Sequence, residues 1–281
     1  MANYALGYPV VTGCHTAHRM VALAAMGGLA AHDADDLLIT LRYRAAGWRG
    51  VYVPEILARG LTPVDWPGYL AQQRRWARSV LDVKLRAYPG LAPHLPWRER
   101  LLSLLHGMYY LRSAVTPVGL GILIWLLLTG GVPEITSWGV LGYAAPVVGA
   151  LTLADVYRQR FYLGGRDEWG LHWPAAVLGF AKWPYMLLAL CEVLIGYRGP
   201  SILTRKIGRA SRHSLLLVAT HGLTAAAVAA TSVLGTLAQH VSLSTAHLSS
   251  ALVLASALGV IASERLPYPE PYDPRLPKDW A

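Results

Sequence analysis

Five long apolar runs follow residue 100, and they limit what this chain can fold into more than any other feature. They cover roughly Leu101–Thr129, Trp138–Val156, His172–Ile195, Leu215–Leu237 and Ala246–Ala262. A helix that crosses a bilayer needs about 20 apolar residues, so all five are long enough or nearly so. The charge content agrees. Only 15% of the 281 residues are charged, where a soluble domain carries about 25%.

Loop charge separates the five runs. "GGVPEITS" and "AQHVSLSTAH" contain no Lys or Arg and read as outside. "YRQRFYLGGRDEWG" and "YRGPSILTRKIGRASRH" are basic and read as inside. These two basic loops flank the run at 172–195, so that run cannot span without breaking the rule. It also carries Lys182, Pro184 and Glu192, each costly at mid-bilayer. The expectation is that 172–195 lies along the cytoplasmic interface or re-enters it. About four spans then remain (101–129, 138–156, 215–237, 246–262), with both termini cytoplasmic. The reading is a multi-pass protein of the cytoplasmic (inner) membrane. The net charge of +9 faces anionic lipid on that side. No aromatic-basic module or zinc spacing supports nucleic acid as a partner.

Before residue 100 the chain is mixed and reads as α/β. "HRMVALAAMGG" is a short helix stopped by Gly27 and Gly28. In "LLITLRYRAAG", Leu37, Leu38, Leu41 and Ala45 share one helical face, and Gly47 is a C-terminal stop. "WRGVYVPE" is a short strand candidate closed by Pro54. "TPVDWPGYLAQQRRWARSVLDVKLR" is a second helix, amphipathic and interfacial. The divisions expected are 1–63, an interfacial helix region 64–100, a membrane domain 101–262 and a Pro-rich cytoplasmic tail 263–281. Cys14 and Cys191 are the only cysteines, far apart and without CxxC spacing, so no disulfide framework or zinc site is indicated. The opening residues lack the basic and apolar regions of a signal peptide.

Three stretches could carry chemistry. In "HDADD", Asp33-Ala34-Asp35 is a bare DxD, yet "MGGLAA" before it is too small and Gly-rich for the strand that a metal-nucleotide DxD ends. Asp35 or Asp36 could cap a helix, and a helix N-terminus also keeps a carboxylate ionised, as a general base requires. In "QQRRW", Gln72, Arg75 and Trp76 fall at i, i+3 and i+4 and share one helical face. A guanidinium suits a phosphate, and an indole suits a sugar ring or the headgroup zone. Active site and membrane anchor both remain open. In "SILTRK", Thr204 and Lys206 are phosphate contacts or members of an ordinary positive-inside loop.

Taken in order, these segments resemble the membrane-integrated family 2 glycosyltransferases, the group that includes bacterial cellulose synthase and hyaluronan synthase. Ala34-Asp35-Asp36 stands where that family has Thr-Glu-Asp, and "LLITLRYRAAGWRGVYVPE" looks like its usual continuation. Gln72, Arg75 and Trp76 match the family's Gln-x-x-Arg-Trp in full. "SILTRK" matches the cellulose synthase gating loop, Phe-x-Val-Thr-x-Lys, only at Thr204 and Lys206; Ser201 and Leu203 replace Phe and Val.

The resemblance implies the acceptor-side half of a GT-A-like domain, an α/β remnant, followed by an α-helical membrane domain. It implies inverting transfer of a sugar from a nucleotide-diphosphate donor to a glycan or lipid-linked acceptor, in polysaccharide synthesis. Asp36 would be the catalytic base. Asp35, Gln72, Arg75, Trp76, Thr204 and Lys206 would bind substrate: Arg75 and Gln72 at the diphosphate, Trp76 under the acceptor sugar, Thr204 and Lys206 over the nucleotide. The complete enzyme would use Mg²⁺ or Mn²⁺, whose ligand motif belongs to a nucleotide-binding half not found in this sequence. The chain is expected to be the C-terminal portion of such an enzyme. The alternative is a catalytically incomplete membrane scaffold or channel-forming fragment that needs a partner supplying that half.

Overall fold

A computed structural model describes residues 6–13, 15–53, 63, 65–130, 137–159, 169–170, 172–197, 199, 214–239 and 245–265. The chain divides into two compact units. One comprises Met1–Ser113, Pro184–Arg212 and Pro267–Ala281; the other comprises Ala114–Trp183 and His213–Leu266.

The first unit begins with α1 (Met20–Ala25) and α2 (Asp35–Ala45). In α2, Asp35 and Asp36 occupy the first turn and Arg42 and Arg44 the last, each charge opposing the local end of the helix dipole. Gly47 ends it at φ 82°. Its N–H bonds Arg44 O at 3.0 Å and the next N–H, of Trp48, bonds Tyr43 O at 2.8 Å, the pair of bonds that closes a helix on a left-handed glycine. The expected apolar face is the buried one: Leu37, Leu38 and Leu41 form a core with Val83, Tyr88, Ala92 and Leu95, and Ala45 packs against it.

The long helix α3 (Trp66–Asp82) follows. Asp65 caps it, its Oδ1 accepting the Gly68 N–H at 2.7 Å. A π-helical turn, Val83–Ala87, extends α3 into the short α4 (Tyr88–Leu91) and a 3₁₀ turn, Ala92–His94. Helix α5 (Trp97–Leu105) and a 3₁₀ turn at Met108–Leu111 lead on to α6 (Arg112–Thr129). Helix α9 (Trp183–Leu194) also belongs mainly to this unit, where Met186 and Ala189 pack on Ala77 of α3.

The α/β expectation is not met: no strand occurs among the described residues. Trp48–Val53 leaves α2 without entering a ladder; Pro54 and Glu55 lie outside the described residues. The reason lies in the neighbouring stretch, residues 7–11. Arg44 donates to Gly7 O (3.2 Å) and Pro9 O (3.5 Å), the Val11 N–H is taken by Thr40 Oγ1 at 2.9 Å, and Pro9 has no N–H. Three of its backbone groups, the Gly7 and Pro9 carbonyls and the Val11 N–H, are thus bonded to α2 rather than to a strand partner.

The second unit holds most of α6, with α7 (Ser137–Gln159), α8 (Trp173–Ala181), α10 (Leu215–Gln239) and α11 (Thr245–Arg265). Leu123, Leu127, Val228 and Ala246 form its core, while Trp125, Leu151, Leu223 and Leu252 are exposed. Outward-facing apolar side chains on such helices belong in lipid, where association depends on close packing of small residues.

Among the described residues, four stretches are long and apolar enough to cross a membrane: Met108–Thr129, Ala175–Leu194, Leu215–Ala238 and Ala246–Glu264. Three coincide with expected spans. The expected span at 138–156 lies in α7, whose Ala145–Tyr157 counts as a shorter apolar helix. The run expected along the interface, 172–195, qualifies as a span by length and apolarity. It is two helices rather than one, parted at Lys182 just before Pro184, which lacks the N–H that a continuous helix would use.

Gly235 on α10 lies directly against the backbone of α6. A Cβ there would collide with the carbonyl oxygen of Leu127 on α6. Gly235→Ala should lower stability by about 1–3 kcal/mol, read as a lower melting temperature in detergent. Gly222→Ala, where a Cβ would meet nothing within 4 Å, should leave it unchanged.

Candidate functional site

Helix α3 sorts its side chains into arcs. At about 100° per residue, Leu70, Gln73, Ala77 and Leu81 fall together, and all four are buried. Arg74 and Arg78, four residues apart, fall on the adjoining arc. Gln72, Arg75 and Trp76 fall on the next.

The three arginines have different fates. Arg74 grips Glu192 of α9 with both edges of its fork: Nε donates to Oε2 at 3.2 Å, and Nη2 makes a shorter bond to Oε1. Arg78 Nη2 lies 3.6 Å from Asp33 Oδ2. Among the described residues Arg75 has neither a hydrogen-bond nor an ion-pair partner, and its Nε is buried. Trp76 is 40% exposed. The face picked out by helical spacing is thus the one that internal pairing leaves unused.

The "HDADD" segment is drawn to the same helix. Besides the Arg78–Asp33 pair, His32 Nε2 lies 3.2 Å from Asp82 Oδ2. His32 Nδ1 accepts the Ala34 N–H at 3.0 Å, so Nε2 is the protonated nitrogen and donates to Asp82.

Asp35 and Asp36 then open α2. The Asp36 N–H bonds Asp35 Oδ1 at 2.8 Å, and the Leu37 N–H bonds Asp36 Oδ1 at 2.7 Å. Both carboxylates satisfy free helix N–H groups, although Ala34 holds the cap position itself. Asp36 Oδ2 accepts no hydrogen bond among the described residues. It faces Gly13, where a Cβ would stand 3.6 Å away. Asp36 makes no direct hydrogen bond or ion pair with Gln72, Arg75 or Trp76; the two elements are joined through Asp33 and His32.

Three further groups gather here without a sequence signal. His106 and Tyr110 both feel the charge of Asp36. Burial and the nearby Lys84 push the His106 pKa down, and Asp36 partly offsets them. Gly107, at φ 88°, brings this turn onto α3; a Cβ there would lie 2.7 Å from Val80 Cγ1. Lys84, on the π turn, is held by burial at about 8. Its Nζ donates to Ser103 O and sits 5.3 Å from the centre of the Tyr88 ring. Some 70 residues separate His106 from Asp36, so only the packing of α5 reveals them as neighbours.

A metal does not fit these residues. Asp33 is engaged by Arg78, and among the described residues no group of three or more His, Cys, Asp or Glu could hold an ion. A cavity of about 770 Å³ lies elsewhere in the unit, lined by His15, His18, Arg19, Tyr43 and Trp48 among others; none of the expected site residues lines it. Thr204 and Lys206 lie outside the described residues. The start of their loop is described: α9 closes on Gly196 at φ 77°, and Arg86 Nη2 bonds the Val193 carbonyl at 3.2 Å.

Residues 1–168 match the sequence pattern of glycosyl transferase family 21. The matched part contains Asp35, Asp36, Gln72, Arg75 and Trp76; Thr204 and Lys206 fall beyond it. Over 138 residues the chain is 29% identical to cellulose synthase 2 of Novacetimonas hansenii, covering 48% of this chain and 9% of that protein. It is 33% identical over 135 residues to an N-acetylglucosaminyltransferase of Rhizobium leguminosarum bv. viciae, covering 45% and 28%. It is 42% identical over 60 residues to an N-acetylglucosaminyltransferase of Neorhizobium galegae, covering 21% and 14%. The chain therefore spans less than a third of the length of each of these relatives. No solved structure matches.

The depressed Lys84 pKa has a signed consequence for stability. Below about pH 8 the ammonium is charged in folded and unfolded chains alike, and the folded chain bears its full burial cost. Between about 8 and 10.5 the folded state has lost the proton while the unfolded state keeps it, so stability rises with pH. Thermal unfolding of the wild type and Lys84→Met across this window should show the wild type gaining on the variant. A constant difference would contradict the burial of the charge.

Proposed function

The chain belongs to glycosyl transferase family 21, and from that premise we propose that it is the acceptor-side and membrane portion of an inverting, membrane-bound glycosyltransferase. Such an enzyme moves a sugar from a nucleotide-diphosphate donor to a glycan or lipid-linked acceptor in polysaccharide synthesis. The supporting relatives are named cellulose synthase and N-acetylglucosaminyltransferase. The reading places the chain in the cytoplasmic membrane as a multi-pass protein. The apolar stretch 172–195 is assigned to the cytoplasmic interface, because the loops on both its sides are basic.

The single observation that carries the reading is Arg75. Of the three arginines on α3 it is the one without a partner among the described residues, and it shares a face with Gln72 and the half-exposed Trp76. An unpaired guanidinium beside buried surface is costly unless an anion meets it. A departing nucleoside diphosphate is such an anion, and its developing charge needs a cation already in place. Gln72 assists at the diphosphate, and Trp76 supplies a flat floor for the acceptor sugar. Asp36 takes the proton from the acceptor hydroxyl through Oδ2, since Oδ1 is committed to the Leu37 N–H. Asp35 orders the same turn by bonding the Asp36 N–H. Thr204 and Lys206 close over the nucleotide from the loop beyond α9.

Calorimetric titration of the purified chain with a nucleoside diphosphate should show binding, and Arg75→Ala should weaken it about tenfold or more, the loss of one charged hydrogen-bond donor. A membrane scaffold without this site would show no binding to lose. In a chain joined to the nucleotide-binding half of a relative, Asp36→Asn should cut sugar transfer by about 10²–10⁴ while diphosphate binding persists. Unchanged turnover would remove Asp36 from the role of base.

A further inference from the structure

Glu192 lies outside every motif of the sequence. It is a buried carboxylate, 5% exposed, near the end of the apolar helix α9. A charge in such a place is tolerated only when paired and hydrogen-bonded. Arg74 provides both. Its planar fork meets the two carboxylate oxygens, and a two-point contact fixes orientation as well as distance.

The consequence falls on the next residue. Adjacent residues of a helix point about 100° apart, so holding Arg74 against α9 sets the rotation of α3 about its own axis. That rotation directs Arg75. The packing of Ala77 on Met186 and Ala189 makes the same helix-to-helix contact one turn away, and the Arg78–Asp33 pair stands between the Arg74 and Arg75 directions. Arg86 binds the Val193 carbonyl, so a second arginine grips α9 beside Glu192.

We propose that Glu192 is a positioning residue for the diphosphate site: through its fork with Arg74 it fixes the orientation of α3 that presents Arg75 to the anion. This rests on the reading of Arg75 as the diphosphate contact. Arg74 itself does not touch the anion.

The sign of one substitution separates this role from a simple electrostatic one. Glu192→Gln removes a negative charge near an anion site. By Coulomb attraction alone, the variant should bind an anion more tightly. Loss of positioning predicts the reverse. The full chain in detergent is titrated with inorganic pyrophosphate by calorimetry, with thermal unfolding measured on each variant.

Glu192→Gln is expected to weaken binding by about tenfold, the effect of a misdirected contact. Arg74→Glu alone should lose binding, and the exchanged pair Arg74→Glu/Glu192→Arg should return it to within about twofold of wild type, because the fork is re-formed with its polarity reversed. Unchanged or tighter binding in Glu192→Gln overturns the proposal. Failure of the exchanged pair to recover, when it melts as the wild type does, also overturns it, since Arg74 would then contact the anion directly. Should Glu192→Gln not fold, the exchanged pair decides. If Arg75→Ala binds pyrophosphate as the wild type does, the diphosphate reading falls, and this proposal with it; a normal loss in Arg75→Ala beside an unaffected Glu192→Gln overturns the positioning role alone.

Discussion

The bidentate pair between Arg74 and Glu192 is the interaction on which the candidate site depends. Glu192 is buried at the end of an apolar helix, where an unpaired carboxylate would be driven out or neutralised. Arg74 satisfies it, and in doing so joins α9 to α3. Asp33 and His32 join the start of α2 to the same helix through Arg78 and Asp82. One helix therefore holds a membrane-proximal segment on one side and the proposed base on the other. Arg75, on the arc next to that of Arg74 and Arg78, has no partner among the described residues.

The π turn after α3 extends the same logic. By adding a residue to one turn it carries Lys84 toward Ser103 and Arg86 toward α9. The turn after α5 approaches Val80 only because residue 107 is glycine, and this approach brings His106 and Tyr110 within range of Asp36. Asp36 is thus set near groups from the π turn and the turn after α5, which are distant from it in sequence.

Much of the local structure could be read in advance. Leu37, Leu38 and Leu41 were spaced for one buried face, and they form the core of the first unit. Gln72, Arg75 and Trp76 were spaced for one shared face, and among the described residues their side chains have no hydrogen-bond or ion-pair partner. The strand at "WRGVYVPE" illustrates the opposite case. Its composition favours β-structure, but a strand exists only with a partner, and in the neighbouring stretch Arg44 and Thr40 take the Gly7 and Pro9 carbonyls and the Val11 N–H. Thr204 and Lys206 lie beyond the described residues, so their place rests on the resemblance alone.

Periodicity and charge in the sequence determined the apolar helices, the amphipathic α3 and the acidic start of α2, while the motifs and their order carried the family resemblance. These are properties of neighbours along the chain, and 3.6-residue geometry carries them into space without help. Only the tertiary structure decided which of the three arginines of α3 stayed unpaired. It also decided that Glu192 and Asp33 would claim the other two, and that His106 would come close to Asp36. The physical reason is that a charge takes its character from its partner, and these partners lie about 45 to 120 residues away, where no local pattern records them.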